Sequence, residues 1–155
     1  MQNKTQTFNF IVNNIFRIAK SASNRNEKLK KICDILKNSV DYYDWVGFYI
    51  TDEQQNELVL GPFTGEPTEH SRIPFGRGIC GQAAERKETF VVQDVSQETN
   101  YISCSPLVKS EIVVPILKND KIIGELDIDS HTQSPFTDDD KRFLEDVCSI
   151  VSQLF

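Results

Sequence analysis

The sequence predicts an α/β domain of the α+β type, in which helices pack on a largely antiparallel sheet. Segments with helical periodicity lie at the two ends of the chain, and short extended segments lie between them. Two pairs of neighbouring extended segments are joined by tight polar turns, which is typical of antiparallel hairpins. At 155 residues the chain is expected to form a single domain over 1–155.

The long helices are predicted from apolar residues that recur every three or four positions. This pattern covers 8–20 and 29–40, so the N-terminal helices are assigned within 8–40. Thr137 is suited to cap a C-terminal helix over 137–154. The three aspartates after Thr137 favour the positive end of the dipole of that helix.

The sheet is assigned to 45–130, where six extended segments are rich in β-branched and aromatic residues. These segments are 45–50, 57–63, 72–75, 90–92, 111–117 and 121–129. A short helix is predicted to begin near Gly76 and to run through Glu85, whereas 94–108 is expected to be mostly loop.

The composition argues against two classes of partner. The net charge is -6 and the pI is about 4.9, and an acidic chain repels the phosphates of nucleic acids and of anionic membranes. No apolar run approaches the roughly 20 residues of a membrane span, and the N-terminus lacks the apolar core of a signal peptide. We therefore expect no nucleic-acid or membrane partner and a cytoplasmic location.

The four cysteines have two kinds of surroundings. Cys33 and Cys148 lie within apolar helical stripes and are expected to be buried structural thiols. Cys80 follows a glycine-rich stretch, and Cys104 lies in a small polar loop, where a thiol is expected to be exposed. Because no CxxC pair is present, no metal site is expected.

The stretch from Gly76 to Gly81 matches the pattern GxGxxG. A dinucleotide site needs a parallel βαβ unit around this pattern, and Pro74 interrupts the strand before it. We therefore interpret the glycines as a sharp turn that brings Cys80 to a helix N-terminus. The helix dipole lowers the pKa of a thiol at that position.

Acidic residues mark one face of the last predicted hairpin. Asp127 and Asp129 alternate along a strand and point to the same side, opposite to Leu126 and Ile128. Glu111 begins the neighbouring strand and can join them. Carboxylates this close raise one another's pKa, so they need an ammonium group, a metal ion or a proton to donate. The alternative is a solvated face of the sheet.

Four further residues share this part of the sheet. Glu125 has the parity of Asp127 but lies nearer the turn, so it is expected at the rim. His131 would complete an Asp-x-Asp-x-His set, which we disfavour as a metal site because no second histidine ligand is evident. Trp45 and Tyr49 are four positions apart on a strand and face one side, where they are suited to wall in an amphiphilic cation.

Five strings between residues 45 and 130 are far more specific together than any one of them alone. They are WVGFYI at Trp45, LVLGPFTGEP at Leu58, RIPFGRGICGQAA at Arg72, SEIVVPI at Ser110 and IIGELDIDS at Ile122. With the C-terminal string FTDDDKRFLE they resemble the GAF domain family, and specifically its free methionine-R-sulfoxide reductase branch. The resemblance implies a GAF fold with a six-stranded antiparallel sheet, helices on one side of it and a ligand pocket on the other.

The resemblance also implies an activity, which is reduction of the free amino acid methionine-R-sulfoxide to methionine. Cys104 matches the nucleophile and would pass through a sulfenic acid and a disulfide, and Cys80 matches a second cysteine of the branch. An external dithiol such as thioredoxin, and no bound cofactor, would restore the enzyme. The acids would hold the substrate's ammonium group, and one of them would protonate the sulfoxide oxygen; Glu111 is placed with the catalytic residues, and which acid holds the proton is left open. The positions that match the substrate pocket are Trp45, Tyr49, Glu111, Asp127 and Asp129.

The chain departs from the pattern of this branch at two places, position 70 and the loop of residues 100–104. Many members carry a resolving cysteine ten residues before Cys80, where this chain has His70. Either Cys80 resolves Cys104 directly, or an external thiol does. The alternative function is a stand-alone GAF module that binds a small molecule or senses redox state without catalysis. Homodimer formation through the N-terminal helices is left open.

Overall fold

Four α-helices are present in the computed structural model, which describes residues 3–102 and 105–155. They are α1 (Lys4–Lys20), α2 (Arg25–Ser39), α3 (Gly78–Arg86) and α4 (Asp138–Ser152). The first two helices begin before their apolar stripes because asparagines cap them. Asn3 accepts the N–H of Gln6 at 2.8 Å, and Asn24 accepts the N–H of Glu27 at 2.9 Å. No helix in the described part of the chain is long and apolar enough to span a bilayer.

Six antiparallel strands form one sheet across the described residues, as the hairpin pattern and the family resemblance predicted. They are β1 (Trp45–Asp52), β2 (Glu57–Thr64), β3 (Arg72–Pro74), β4 (Phe90–Val92), β5 (Ser110–Lys118) and β6 (Lys121–Ser130). In space their order is β3-β2-β1-β6-β5-β4, so β1 and β6 lie at the centre. The turn between β5 and β6 holds Asn119 and Asp120 at φ values of 53° and 63°, the left-handed backbone that a tight hairpin needs.

The two faces of the sheet bury different sets of side chains. One face packs against α2 and α4, on which α1 packs in turn, and the core on this side includes Val46, Phe48, Leu126 and Ile128. The short helix α3 packs on the opposite face, where Ile79 joins a second apolar cluster. The long helices thus share one side as predicted, whereas α3 covers the side expected to hold the pocket.

A buried carboxylate ties the two ends of the chain together. Asp140, at the start of α4, is fully buried and accepts the hydroxyl groups of Tyr42 and Tyr43, each at 2.7 Å. It also accepts the ammonium group of Lys4 from α1 and, at 2.9 Å, the backbone N–H of Thr137. These bonds hold the pKa of Asp140 below its usual value although burial acts in the opposite direction.

Candidate active site

Three carboxylates lie side by side on the face of the sheet that α3 covers. Glu111 stands opposite Asp129 in the pairing of β5 with β6, and Asp127 lies two residues before Asp129 along β6. Only 6, 2 and 2 % of the surfaces of Glu111, Asp127 and Asp129 are exposed. The three residues therefore share one face, as the alternation predicted, and that face is buried and not solvated.

Burial makes the two aspartates of this group difficult to ionise. It raises the pKa of Asp127, and together with the neighbouring Asp127 charge it raises the pKa of Asp129 well above its usual value. The Oδ1 atom of Asp127 is buried and has no hydrogen-bond partner within the described part of the chain. An unsatisfied carboxyl group in this setting favours a ligand that carries a positive charge.

Glu125 is buried more deeply than expected from its position in the sequence near the turn between β5 and β6. It is fully buried, so the expectation that it lies at the rim is wrong. The reason is that β6 runs through the centre of the sheet, where Glu125 is paired with Tyr49 on one side and Pro115 on the other. Neither carboxyl oxygen of Glu125 has a hydrogen-bond partner among the described residues. Burial and the Asp127 charge raise the pKa of Glu125 well above its usual value, and the nearby Cys80 thiol opposes that shift.

Cys80 lies in the first turn of α3, and its thiol points at the carboxylates. Its Sγ atom is 3.9 Å from Oε2 of Glu111. Burial raises the pKa of this thiol well above 9.0, and the charges of Asp127 and then Glu111 raise it further. The expectation that the helix N-terminus lowers this pKa is therefore wrong, because burial and, after it, the surrounding acids outweigh the helix dipole.

The glycines before Cys80 serve a tight backbone contact. A Cβ atom on Gly81 would lie 2.6 Å from the carbonyl oxygen of Pro74, and Gly78 has a φ of +66°. The strand before them, β3, is antiparallel to its neighbour β2, so the parallel unit of a dinucleotide site is not formed here. Both observations agree with the interpretation of this stretch as a sharp turn that positions Cys80.

The two predicted aromatic walls lie on the pocket face but differ in their contacts. The Tyr49 hydroxyl donates a hydrogen bond to the carbonyl oxygen of His70 at 3.1 Å. The Trp45 indole N–H donates to the carbonyl oxygen of Glu66 at 2.9 Å, and its ring stacks on Phe63 with centroids 5.5 Å apart. Both aromatic residues therefore tie the loop between β2 and β3 to the sheet.

A small cavity of about 10 Å³ lies between α3 and the sheet. That volume is about the space of one water molecule, so a ligand the size of an amino acid must expand it. The apolar part of the wall was not predicted, because Ile102 lies outside any periodic pattern. Residues around the cavity include Tyr49, His70, Cys80, Ile102, Glu111 and Asp127.

The predicted nucleophile, Cys104, lies outside the described residues together with Ser103. Its distance from Cys80 and from the carboxylates therefore stays a prediction. Ile102, two residues before it, borders the cavity. The other two cysteines, Cys33 and Cys148, are buried in the core under the helices as predicted, and burial raises the pKa of both thiols.

The structure does not assemble the Asp-x-Asp-x-His set. His131 is exposed at the end of β6, where its backbone N–H donates to Asp44 at 2.7 Å. A different group of possible ligands comes together instead. One ligand atom each from Cys80, Glu111 and Asp127 lies within 4.8 Å of the other two.

The fold and the site define a class of α+β domain with an acid-lined cavity between its sheet and a short helix. The model of the GAF domain family matches residues 24–155, and the chain belongs to this family. It is 40 % identical over 129 residues to GAF domain-containing protein A of Dictyostelium discoideum, covering 83 % of this chain and 80 % of that protein.

Two further comparisons concern proteins with a named activity. The chain is 44 % identical over 112 residues to the free methionine-R-sulfoxide reductase of Saccharomyces cerevisiae, covering 71 % of this chain and 62 % of that protein. It is also similar to the solved structure of the free methionine-R-sulfoxide reductase of Neisseria meningitidis in complex with its substrate. That match has a TM-score of 0.94 and 35 % identity, and covers 100 % of this chain and 92 % of the other.

Proposed function

We propose that the protein reduces free methionine-R-sulfoxide to methionine. The observation that carries this proposal is the buried group of Glu111, Asp127 and Asp129 beside the Cys80 thiol. The similarity to two proteins named as reductases of this substrate supports it. The protein fold by itself carries less weight, since one fold can hold many activities.

The carboxylates suit the ammonium group of a free amino acid. The pKa values of Asp127 and Asp129 are raised, and an ammonium group that enters the site would stabilise their ionised forms. A methionine sulfoxide within a polypeptide has no such ammonium group, and its flanking chain adds bulk that a cavity this small does not accommodate. The free amino acid is therefore the better substrate on both counts.

The first chemical step is transfer of the sulfoxide oxygen to a thiolate, which we assign to Cys104. Its sulfur attacks the sulfoxide, the S–O bond of the substrate breaks, and the oxygen ends on Cys104 as a sulfenic acid. We assign Glu111 as the donor of the proton that this oxygen takes up as it leaves the substrate. Methionine is released with its sulfur reduced by two electrons, and Cys104 is oxidised by two electrons.

The second step forms a disulfide. The Cys80 thiol condenses with the sulfenic acid of Cys104, which forms an S–S bond and releases water. Because burial and the acids around Cys80 keep its thiol protonated, a carboxylate must accept that proton as the sulfur attacks. An external dithiol such as thioredoxin then reduces the disulfide by exchange. If an external thiol resolves Cys104 instead, the step does not need Cys80.

The test is consumption of NADPH with thioredoxin, thioredoxin reductase and free L-methionine-R-sulfoxide. Wild-type protein is expected to turn over, Cys104→Ser to be inactive, and Cys33→Ala, which changes a buried thiol outside the site, to keep its activity. N-acetylation of the substrate removes the ammonium charge and should raise KM strongly. Lack of turnover with thioredoxin, glutaredoxin and dithiothreitol would refute the proposal.

One observation favours a second function. His70, which stands where many members of the branch have a resolving cysteine, borders the cavity and is held there by Tyr49. A binding module without catalysis would need no resolving thiol at that place. Calorimetric binding of free methionine or its sulfoxide without any turnover would support this function.

A further inference from the structure

Three possible metal ligands converge on the cavity from three different elements. Cys80 comes from α3, Glu111 from β5 and Asp127 from β6, and their ligand atoms lie within 4.8 Å of one another. All three residues are buried, with 5, 6 and 2 % of their surfaces exposed. Spacing along the sequence does not reveal this group, because no two of its members lie within 15 residues of each other.

A second observation, independent of that geometry, indicates that this place binds a ligand. Asp127 borders the cavity, and its Oδ1 atom is buried and has no hydrogen-bond partner in the described part of the chain. Buried polar atoms are nearly always satisfied, and an exception calls for an ion, a water molecule or a functional role. The cavity of about 10 Å³ has room for one water molecule or one small ion without expansion.

We propose that Cys80, Glu111 and Asp127 bind one thiophilic divalent cation of the zinc class. A thiolate with two carboxylates suits zinc or cobalt, which accept sulfur and oxygen at four-coordinate sites and leave one position open for water. Calcium and magnesium fit poorly, since they take six or more oxygen ligands and avoid sulfur. On binding, the thiol releases its proton to the solvent, and the cation offsets the negative charge of the buried group.

This site has a consequence for catalysis, which rests on the proposed function. The cation would hold Asp127, which is assigned to the substrate's ammonium group, and it would hold the sulfur of Cys80. The cation and methionine sulfoxide therefore exclude each other. Zinc is expected to inhibit in competition with the substrate, and a chelator is expected to reverse that inhibition.

The direct test is titration with Co²⁺, whose bond to a thiolate gives a charge-transfer band in the near ultraviolet. Cys104→Ser protein is used throughout, so that the band cannot come from the predicted nucleophile. One equivalent of Co²⁺ should give the band, and Zn²⁺ but not Mg²⁺ should displace it. Adding Cys80→Ser should abolish the band, whereas adding Cys148→Ala, which alters a buried thiol outside the site, should leave it unchanged.

A second variant keeps the proposal testable if loss of Cys80 disturbs folding. Asp127→Asn keeps the shape of the side chain and should weaken Co²⁺ binding by about tenfold or more. Absence of the band, or a band that survives in the Cys80→Ser protein, would overturn the site. Turnover without metal binding would refute this inference alone, and metal binding without turnover would refute the proposed function alone.

Discussion

Replacement of Glu125 by methionine should stabilise the protein, although the change lies in the middle of the sheet. In the native structure both carboxyl oxygens are buried without a hydrogen-bond partner among the described residues. A buried polar group in that condition costs roughly 1–3 kcal/mol even when it is neutral. Methionine has a similar length and no polar group that needs a hydrogen-bond partner. Glu125→Met should therefore raise the free energy of unfolding by roughly 1–3 kcal/mol at pH 5.

The gain should grow as the pH rises. The folded pKa of Glu125 is raised, so its carboxyl group keeps its proton in the folded state while the unfolded chain ionises above its ordinary pKa of about 4.3. The stabilisation of the folded state by this bound proton is fully present below the unfolded pKa, and it is lost as the pH rises towards the folded pKa. The loss is about 1.4 kcal/mol per pH unit for one group. The raised pKa values of Asp127 and Asp129 also make the folded state less stable as the pH rises. The free energy of unfolding of the variant should therefore depend on pH less steeply than that of wild type, but it should still depend on pH.

Urea unfolding at pH 5, 6 and 7 measures both effects, with the fluorescence of Trp45, the one tryptophan, as the signal. The control is Glu53→Met in an exposed turn, which should change the free energy of unfolding by no more than about 0.5 kcal/mol. A Glu125→Met protein that is less stable than wild type at all three pH values would refute the reasoning. So would a stability difference that does not change with pH.

Three other predictions follow from contacts described above. Asp140→Asn should lower the free energy of unfolding by roughly 2–4 kcal/mol at pH 7, whereas exposed Asp139→Asn should have little effect. Since the folded pKa of Asp140 is depressed, the difference should stay constant above the unfolded pKa of about 3.9 and shrink as the pH falls from there through the folded pKa; thermal unfolding from pH 3 to 7 tests both. Gly81→Ala should cost roughly 1–3 kcal/mol, because the new methyl group would meet the Pro74 carbonyl oxygen, and an unchanged melting temperature would contradict that contact. Iodoacetamide should label a single thiol rapidly in the native protein, expected to be Cys104, and all four thiols in urea. Mass spectrometry of tryptic peptides measures this labelling. Rapid labelling, in the native protein, of a thiol described as buried would contradict the structure.

The parts of the fold that depend on local pattern could be predicted from the sequence. Alternation along β6 placed Asp127 and Asp129 on one face, and the antiparallel hairpins followed from their turns. The starts of α1 and α2 were predicted too late, because apolar periodicity marks where a helix begins to pack. The capping asparagines Asn3 and Asn24 mark where each helix begins.

The parts of the site that depend on tertiary distance could not be predicted. The depth of Glu125 is set by the strands on either side of β6, which its distance from a turn does not show. The thiol of Cys80 was expected to be acidic because of its own helix, but burial and then the carboxylates on β5 and β6 raise its pKa. Parity with Asp127 is the signal that would have placed Glu125 in the site.

The lengths of the outermost strands limit how copies of this protein can associate. β3 and β4, which form the two edges of the sheet, have three residues each, and β3 ends in Pro74, which has no backbone N–H to donate. Edges this short offer too few free backbone groups for another chain to add a strand. Growth of the sheet from one molecule into the next is therefore disfavoured, and a contact between two copies would have to use side chains on the helices or loops.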